Sequence, residues 1–251
     1  MCTIAILVGL ADAPVILAAN RDELYARPTR PPEKLGPRIV GGRDVLSGGT
    51  WMALRDDGQF AAVTNQRALD TPPPGLRSRG LAVMECAAAD DQEAYVRALD
   101  PTHYASMNLV FGNASAVSVA YLRREGTREI LRLANGLYIL ANDVIGAPGF
   151  PRAERLQHLI EAALSQTRSW DTLWPLLARA LGSTERSPDA PPSHLPEPIA
   201  LAMTAINIHT EFYGTRSASL VALQPGRVAA YWTADGPPDT TPFTDKVGLL
   251  A

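Results

Sequence analysis

The chain has 251 residues, 46% of them apolar and 20% charged, with a formal net charge of −3. That length suits one sizeable domain, and the near-neutral charge, with no Lys/Arg cluster, gives no electrostatic case for nucleic acid or an anionic membrane surface. Two distant cysteines, Cys2 and Cys86, form neither a disulfide framework nor a zinc motif, and a reducing compartment suits them.

In chain order, Thr3 to Leu10 and Val15 to Ala19 read as two almost wholly apolar strands, expected to be covered on both faces, around a turn at Ala11-Asp12-Ala13-Pro14. Arg27 to Arg43 is rich in proline and charge and is expected to be an irregular surface loop. Ser47-Gly48-Gly49-Thr50-Trp51 leads into a hairpin, Met52 to Leu54 and Phe60 to Asn65, whose second strand delivers Thr64 and Asn65 at its end. The three prolines near Pro72 mark a second loop, about residues 66–80. Leu81 to Ala89 and Gln92 to Leu99 have helical spacing, with Cys86 in the core. Short runs at Asn108 to Phe111, Val117 to Leu122, Glu129 to Leu133 and Leu137 to Ala141 predict an antiparallel meander. Helices are expected at Pro151 to Ser165, with proline in the first turn, and at Ser169 to Leu181, with Ser169 as N-cap. Gly182 to Pro198 is Pro/Ser-rich and reads as a flexible loop. Met203 to His209, Ser217 to Leu223 and Val228 to Thr233 read as closing strands.

This order of strands, helices, strands, helices and strands predicts an α+β fold of two antiparallel sheets covered by helices, in one domain spanning 1–251. No stretch reaches the roughly 20 apolar residues of a membrane span. The opening run lacks a basic segment and is interrupted by Asp12 and Pro14, so a cytoplasmic protein is expected.

Several residues could carry chemistry. Removal of Met1 would leave Cys2 with a thiol and a free α-amine. The amine titrates near about 7.7–8.0 and a thiol near about 8.5, so such a residue carries its own base. The plainer alternative is a small buried hydrophobe opening a strand. Asn20-Arg21-Asp22-Glu23 is either a helix cap or solvated turn, or a site block in which Asp22 orients the α-amine of Cys2 and Arg21 holds an anionic group. The latter requires the second strand to return antiparallel to residue 2. Trp51 follows glycines that let a backbone approach a ligand, and either walls a pocket or packs in the core. Asn65, and with less weight Asn142, could donate to an oxyanion. Arg216 is either solvated, or pairs with Asp22, or clamps a carboxylate. The four histidines have no ligand spacing to one another, so neither a metal nor another cofactor is expected.

Taken together, Met-Cys, Asn20-Arg21-Asp22-Glu23, Gly48-Gly49-Thr50-Trp51, Thr64-Asn65 and Tyr213-Gly214-Thr215-Arg216 resemble the NRDE family, also called the transport-and-Golgi-organisation 2 family, across the whole chain. That family is similar to the N-terminal-nucleophile (Ntn) hydrolases. The resemblance implies a four-layer αββα sandwich, in the cysteine branch that includes penicillin V acylase, bile-salt hydrolase and acid ceramidase. Together with the readings of the residues above, it marks Cys2, Asp22 and Asn65 as the expected catalytic residues and Asn20, Arg21, Trp51, Asn142 and Arg216 as the expected substrate-binding ones. It also carries a departure: in the branch's Arg-Asn-x-Asp pattern, Asn20 and Asp22 match, but Ala19 stands where the arginine would be. Two functions are implied. One is hydrolysis or acyl transfer on a linear non-peptide amide through a thioester on Cys2. The other is a non-catalytic carrier on the same scaffold, since eukaryotic members are linked to Golgi organisation, lipid and acyl-CoA metabolism and haem trafficking. The expected partner is thus a small molecule: an amide, an acyl-CoA or lipid, or haem.

Overall fold

The computed structural model describes residues 2–67, 73–190, 193 and 195–251. The chain opens as β1 (Cys2–Val8) and β2 (Val15–Leu24), an antiparallel hairpin. Strands β3 (Thr29–Gly36), β4 (Ile39–Asp44), β5 (Met52–Arg55) and β6 (Phe60–Asn65) follow. Helices α1 (Arg79–Ala88) and α2 (Gln92–Ala98) come next, then β7 (Met107–Asn113), β8 (Ala116–Leu122), β9 (Arg128–Arg132) and β10 (Gly136–Leu140). The chain ends through α3 (Pro151–Gln166), α4 (Trp170–Leu181), α5 (Glu197–Ala202), β11 (Tyr213–Gln224), β12 (Arg227–Ala234) and β13 (Thr244–Asp245).

These strands make two antiparallel sheets. One runs β10-β1-β2-β11-β12-β13 and the other β3-β4-β5-β6-β7-β8-β9. The pleat of β1 and β2 sorts their side chains between layers, because successive residues point to opposite faces. Ile4, Ile6, Val15, Leu17 and Ala19 join Leu54, Phe60, Val110 and Val119 in the core between the sheets. Ala5, Leu7, Ile16 and Ala18 pack instead against Leu156, Ile160, Leu173 and Leu177 of α3 and α4. On the far side, Ala53, Ala61 and Leu109 meet Val83 and Cys86 of α1 and Val96 of α2. The result is helices, sheet, sheet, helices: the αββα sandwich of the Ntn-hydrolase fold. Strands β1 and β2 are buried on both faces, which is why both read as continuous apolar runs.

Several expectations change. Residues 27–43 are not irregular but form β3 and most of β4. Strand β3 is a sheet edge with register shifts around Pro31 and Pro32, a position where the missing proline donors cost no ladder bond. The expected meander splits, since β10 leaves β9 and pairs with β1 in the other sheet. Residues 203–209 are not a strand. Helix α5 ends at Ala202 and the following turns bury Ala205, Ile206 and Ile208, so burial alone produced the apolar alternation. The expected loop at 66–80 lies partly outside the described residues, and α1 opens within it at Arg79. The expected flexible stretch 182–198 also lies partly outside them, and its end begins α5. Ser169 is the N-cap residue of α4, but its side chain makes no capping hydrogen bond. Among the described residues, no helix is long and apolar enough to cross a membrane.

Candidate active site

The register of the first hairpin sets the site. Cys2 pairs with Arg21 and Thr3 with Asn20. Alternation puts Cys2, Ala19 and Arg21 on the face toward the other sheet, and Asn20 and Asp22 on the face toward the helices. Asp22 lies one step beyond Cys2's cross-strand partner, beside the nitrogen end of Cys2.

Asp22 is held from two directions. Across the ladder, Thr215 of β11 donates its hydroxyl to Oδ1 at 2.7 Å. From above, Arg152, the second residue of α3, donates to Oδ2 at 3.1 Å. Both ends of this pair are out of water, with side-chain exposures of 3% for Arg152 and 0% for Asp22. Burial raises the Asp22 carboxyl from its usual range, and the Arg152 charge opposes that rise. Burial likewise pushes up the Cys2 thiol, with the Asp22 carboxylate adding to the shift and Arg21 opposing it. The half-buried Tyr213 phenol is raised well above its usual range by desolvation, with Asp22 nearby.

A second guanidinium nitrogen of Arg152, Nη2, donates to the side-chain oxygen of Asn142. Asn142 in turn donates to the Asn65 carbonyl at 2.8 Å. A continuous buried chain therefore runs from Asp22 through Arg152 and Asn142 to the end of β6. Asn108 of β7 fastens the same corner. It donates to Thr64 Oγ1 at 3.0 Å and to the Asp143 carbonyl at 2.9 Å, so the exits of β6 and β10 are tied together.

Cys2 faces a cavity of about 290 Å³. Arg21, Asp22, Trp51, Asn65 and Arg79 are among the residues that line it, so the cavity draws walls from both sheets and from the start of α1. The Asn65 side-chain amide, half-buried here, is engaged by no hydrogen bond within the described residues. The Arg21 guanidinium lies 4.3 Å from the centre of the Trp51 ring, a cation–π contact. Glycine makes room for that ring, since a Cβ on Gly42 would stand 2.1 Å from it. Gly49 serves a different approach: its Cβ would meet the Gly80 carbonyl carbon at 2.4 Å, so the Gly-Gly-Thr-Trp turn accommodates the N-terminus of α1. The ligand approach expected of these glycines is taken by another backbone.

Of the eight residues expected at the site, the structure brings Cys2, Arg21, Asp22, Trp51 and Asn65 to one cavity. Asn20 is elsewhere: it faces the helix layer and donates to the Leu181 and Ile206 carbonyls at 2.9 and 3.0 Å. Asn142 supports the cavity from behind. Arg216 neither pairs with Asp22 nor reaches Cys2. It sits at a register shift between Thr215 and Ser217, a β-bulge that re-aims its side chain toward the Leu24 and Tyr25 carbonyls, at 2.9 and 2.8 Å. The guanidinium missing at Ala19 is supplied to the same face by Arg21, two residues along the strand. Arg152 was not anticipated, although one signal points to it: it shares the buried face of α3 with Leu156 and Ile160, at four-residue spacing. Among the described residues, no group of three His, Cys, Asp or Glu side chains is placed to hold a metal.

Comparison with known proteins agrees with this architecture. The family model described as Transport and Golgi organisation 2 matches residues 1–231. The "Transport and Golgi organization protein 2 homolog" of Bos taurus is 30% identical over 82% of this chain and 81% of its own length. That of Homo sapiens is 28% identical over the same shares. Among solved structures, a mutant conjugated bile acid hydrolase from Clostridium perfringens superposes with a TM-score of 0.55 at 10% identity, covering 98% of this chain and 96% of that one. The Caenorhabditis elegans ortholog of N-acylethanolamine-hydrolyzing acid amidase gives 0.53 at 10% identity, covering 88% and 92%. At that identity the likeness is one of fold.

Proposed function

Because this chain belongs to the Transport and Golgi organisation 2 family and is folded as an Ntn hydrolase, we propose that it is an N-terminal-cysteine amidohydrolase or acyltransferase acting on a linear, non-peptide amide. One observation carries the reading: the β1–β2 register sets a cavity-facing thiol beside a buried, doubly held carboxylate at the nitrogen end of the same residue. The names of the two structural neighbours, a conjugated bile acid hydrolase and an N-acylethanolamine-hydrolyzing acid amidase, support a hydrolytic reaction class.

The steps follow from the residues. Removal of Met1 frees the α-amine of Cys2, which Asp22 orients. The thiol proton leaves as attack begins. The α-amine takes it, and the sulfur bonds to the substrate carbonyl carbon. The carbonyl oxygen becomes an oxyanion, which the open Asn65 side-chain amide stabilises. The adduct collapses to a thioester as the C–N bond breaks, and the departing nitrogen takes the proton from the α-ammonium. Water, giving its proton to the α-amine, then attacks the thioester, which releases the acid and restores the thiol. An acyl acceptor other than water would make the same site a transferase.

Intact mass of the purified protein is expected to be that of the chain without Met1. An electrophilic acyl-amide analogue is expected to label wild type once, at Cys2, and not to label Cys2→Ala. A mature chain that retains methionine, or an adduct that forms only on Cys86, would overturn the reading. Ligand retention by Cys2→Ala, with no adduct on wild type, would assign the carrier function instead.

A further inference from the structure

The charges around the Cys2 cavity do not cancel. Its lining holds four arginines, Arg21, Arg27, Arg77 and Arg79, and three carboxylates, Asp22, Glu23 and Asp44. Most of these are committed. Asp22 pairs with Arg152, Asp44 with Arg27 at 2.6 Å, and Arg77 with Glu85 outside the lining. Glu23 is shared, 3.7 Å from Arg27 and 3.9 Å from Arg21.

Two guanidiniums remain under-neutralised. Arg21 is only 5% exposed, has that one long contact to Glu23, and keeps its Nη1 buried with no hydrogen-bond partner. Arg79 has no carboxylate partner among the described residues, and its guanidinium makes one long hydrogen bond, 3.4 Å to the Ser106 carbonyl. A buried donor left unmade is costly, and a buried charge without a counter-charge more so. Both side chains line the cavity that Cys2 faces, and Arg21 is the cross-strand partner of Cys2 itself.

We infer that Arg21 and Arg79 form an anion subsite beside the sulfur, so that the ligand carries a carboxylate, phosphate or sulfonate within a few bonds of its reacting carbonyl. Guanidinium forks suit such oxygens because they donate in pairs. The Trp51 ring lies 4.3 Å from the Arg21 guanidinium and packs against it. Arg216 takes no part, since backbone carbonyls occupy it. The inference names the substrate class of the amidohydrolase reading and rests on it, but the subsite can be tested without turnover.

The probes are iodoacetate and iodoacetamide, which alkylate a thiol alike and differ in charge. The ratio of their rates at Cys2, normalised to N-acetylcysteine, cancels the acidity of the thiol and isolates the pull on the anion. One added opposite charge at partly buried range makes a preference of about tenfold reasonable. Wild type is expected to favour iodoacetate by about that factor. Arg21→Gln and Arg79→Gln are each expected to lose most of it, and Arg216→Gln to keep it. On wild type, inorganic phosphate is expected to slow iodoacetate beyond what KCl does at matched ionic strength, so the test holds even where a variant fails to fold. A normalised ratio near one, a preference that survives both Gln variants, phosphate acting no better than KCl, or a Cys2 that neither reagent reaches before unfolding would each overturn the inference. Anion preference without amide turnover would leave the subsite standing and sink the amidohydrolase. Turnover without anion preference would do the reverse.

Discussion

Arg152→Met tests whether the Asp22–Arg152 pair is a fixed strut of the site. Methionine keeps much of the side-chain volume and removes the charge facing Asp22. The guanidinium makes two buried hydrogen bonds, one to a carboxylate at 3.1 Å and one to the Asn142 amide oxygen. Hydrogen bonds to charged groups are worth about 1.5–3 kcal/mol each. Removing one partner from a buried ion pair costs about 3–5 kcal/mol. Both routes converge on about 4 kcal/mol, a large share of the about 5–15 kcal/mol that holds a domain folded. Urea unfolding near neutral pH, followed by far-UV circular dichroism, reads the loss directly. Asp22→Asn strands Arg152 in the same way, whereas the double variant strands neither charge. Its cost should fall short of the sum of the singles by about 2 kcal/mol or more. The pH dependence has a definite sign. Burial already raises Asp22 above 3.8 and Arg152 is the main opposing influence, so losing Arg152 raises the carboxyl further. Folded Arg152→Met then binds a proton that the unfolded chain releases, and its stability climbs as pH falls. The deficit against wild type should narrow as pH falls from neutral toward the acid range. A single-variant cost under about 1 kcal/mol, or additive singles, would refute the reasoning.

Four other outcomes are expected. Gly49→Ala puts a methyl 2.4 Å from the Gly80 carbonyl carbon, backbone against backbone, and should lower stability by about 1–3 kcal/mol in the same urea assay; an unchanged midpoint would contradict the close approach. Asn20→Ala leaves the Leu181 and Ile206 carbonyls unpaired and should cost about 2 kcal/mol or more, while the alkylation rate of Cys2 in the folded protein stays constant; a slower rate would return Asn20 to the site. Cys86 is 0% exposed and burial pushes its thiol up to about 12, so native protein near pH 8 should take one thiol label, at Cys2, and unfolded protein two. The same thiol makes the fold lose stability as pH rises above its usual 9.0, at up to about 1.4 kcal/mol per unit.

Much of this was legible because it is local. The turn after Leu10 dictates that β2 returns along β1, and the period of two then fixes which of residues 19–22 share a face with Cys2. The same period turns Asn20 and Asp22 toward the helices, away from Arg21, and Asp22 joins the site only because it lies beside the nitrogen end of Cys2. Arg152 was harder: nothing near it in sequence is unusual, and only the packing of α3 on the sheet brings it to Asp22. Its place on the Leu156–Ile160 stripe was the available hint, because a cation on an apolar face needs a buried partner. The prolines of β3 misled because proline argues against a central strand, and β3 is an edge. Ile206 and Ile208 misled in the opposite sense, as buried turn residues that imitate strand alternation. Arg216 was misplaced because a bulge breaks the count by one residue, and no pattern in Thr-Arg-Ser announces it.

Trp51 also borders a second hollow of about 250 Å³, where Tyr25, Thr215, Arg216 and Asp235 are among its neighbours. One indole thus acts as a party wall between two rooms. A ligand that lies in the first hollow and extends toward the second meets that ring. Shaving the indole back to a smaller residue would thin the wall between the two hollows and remove the ring on which Arg21 rests.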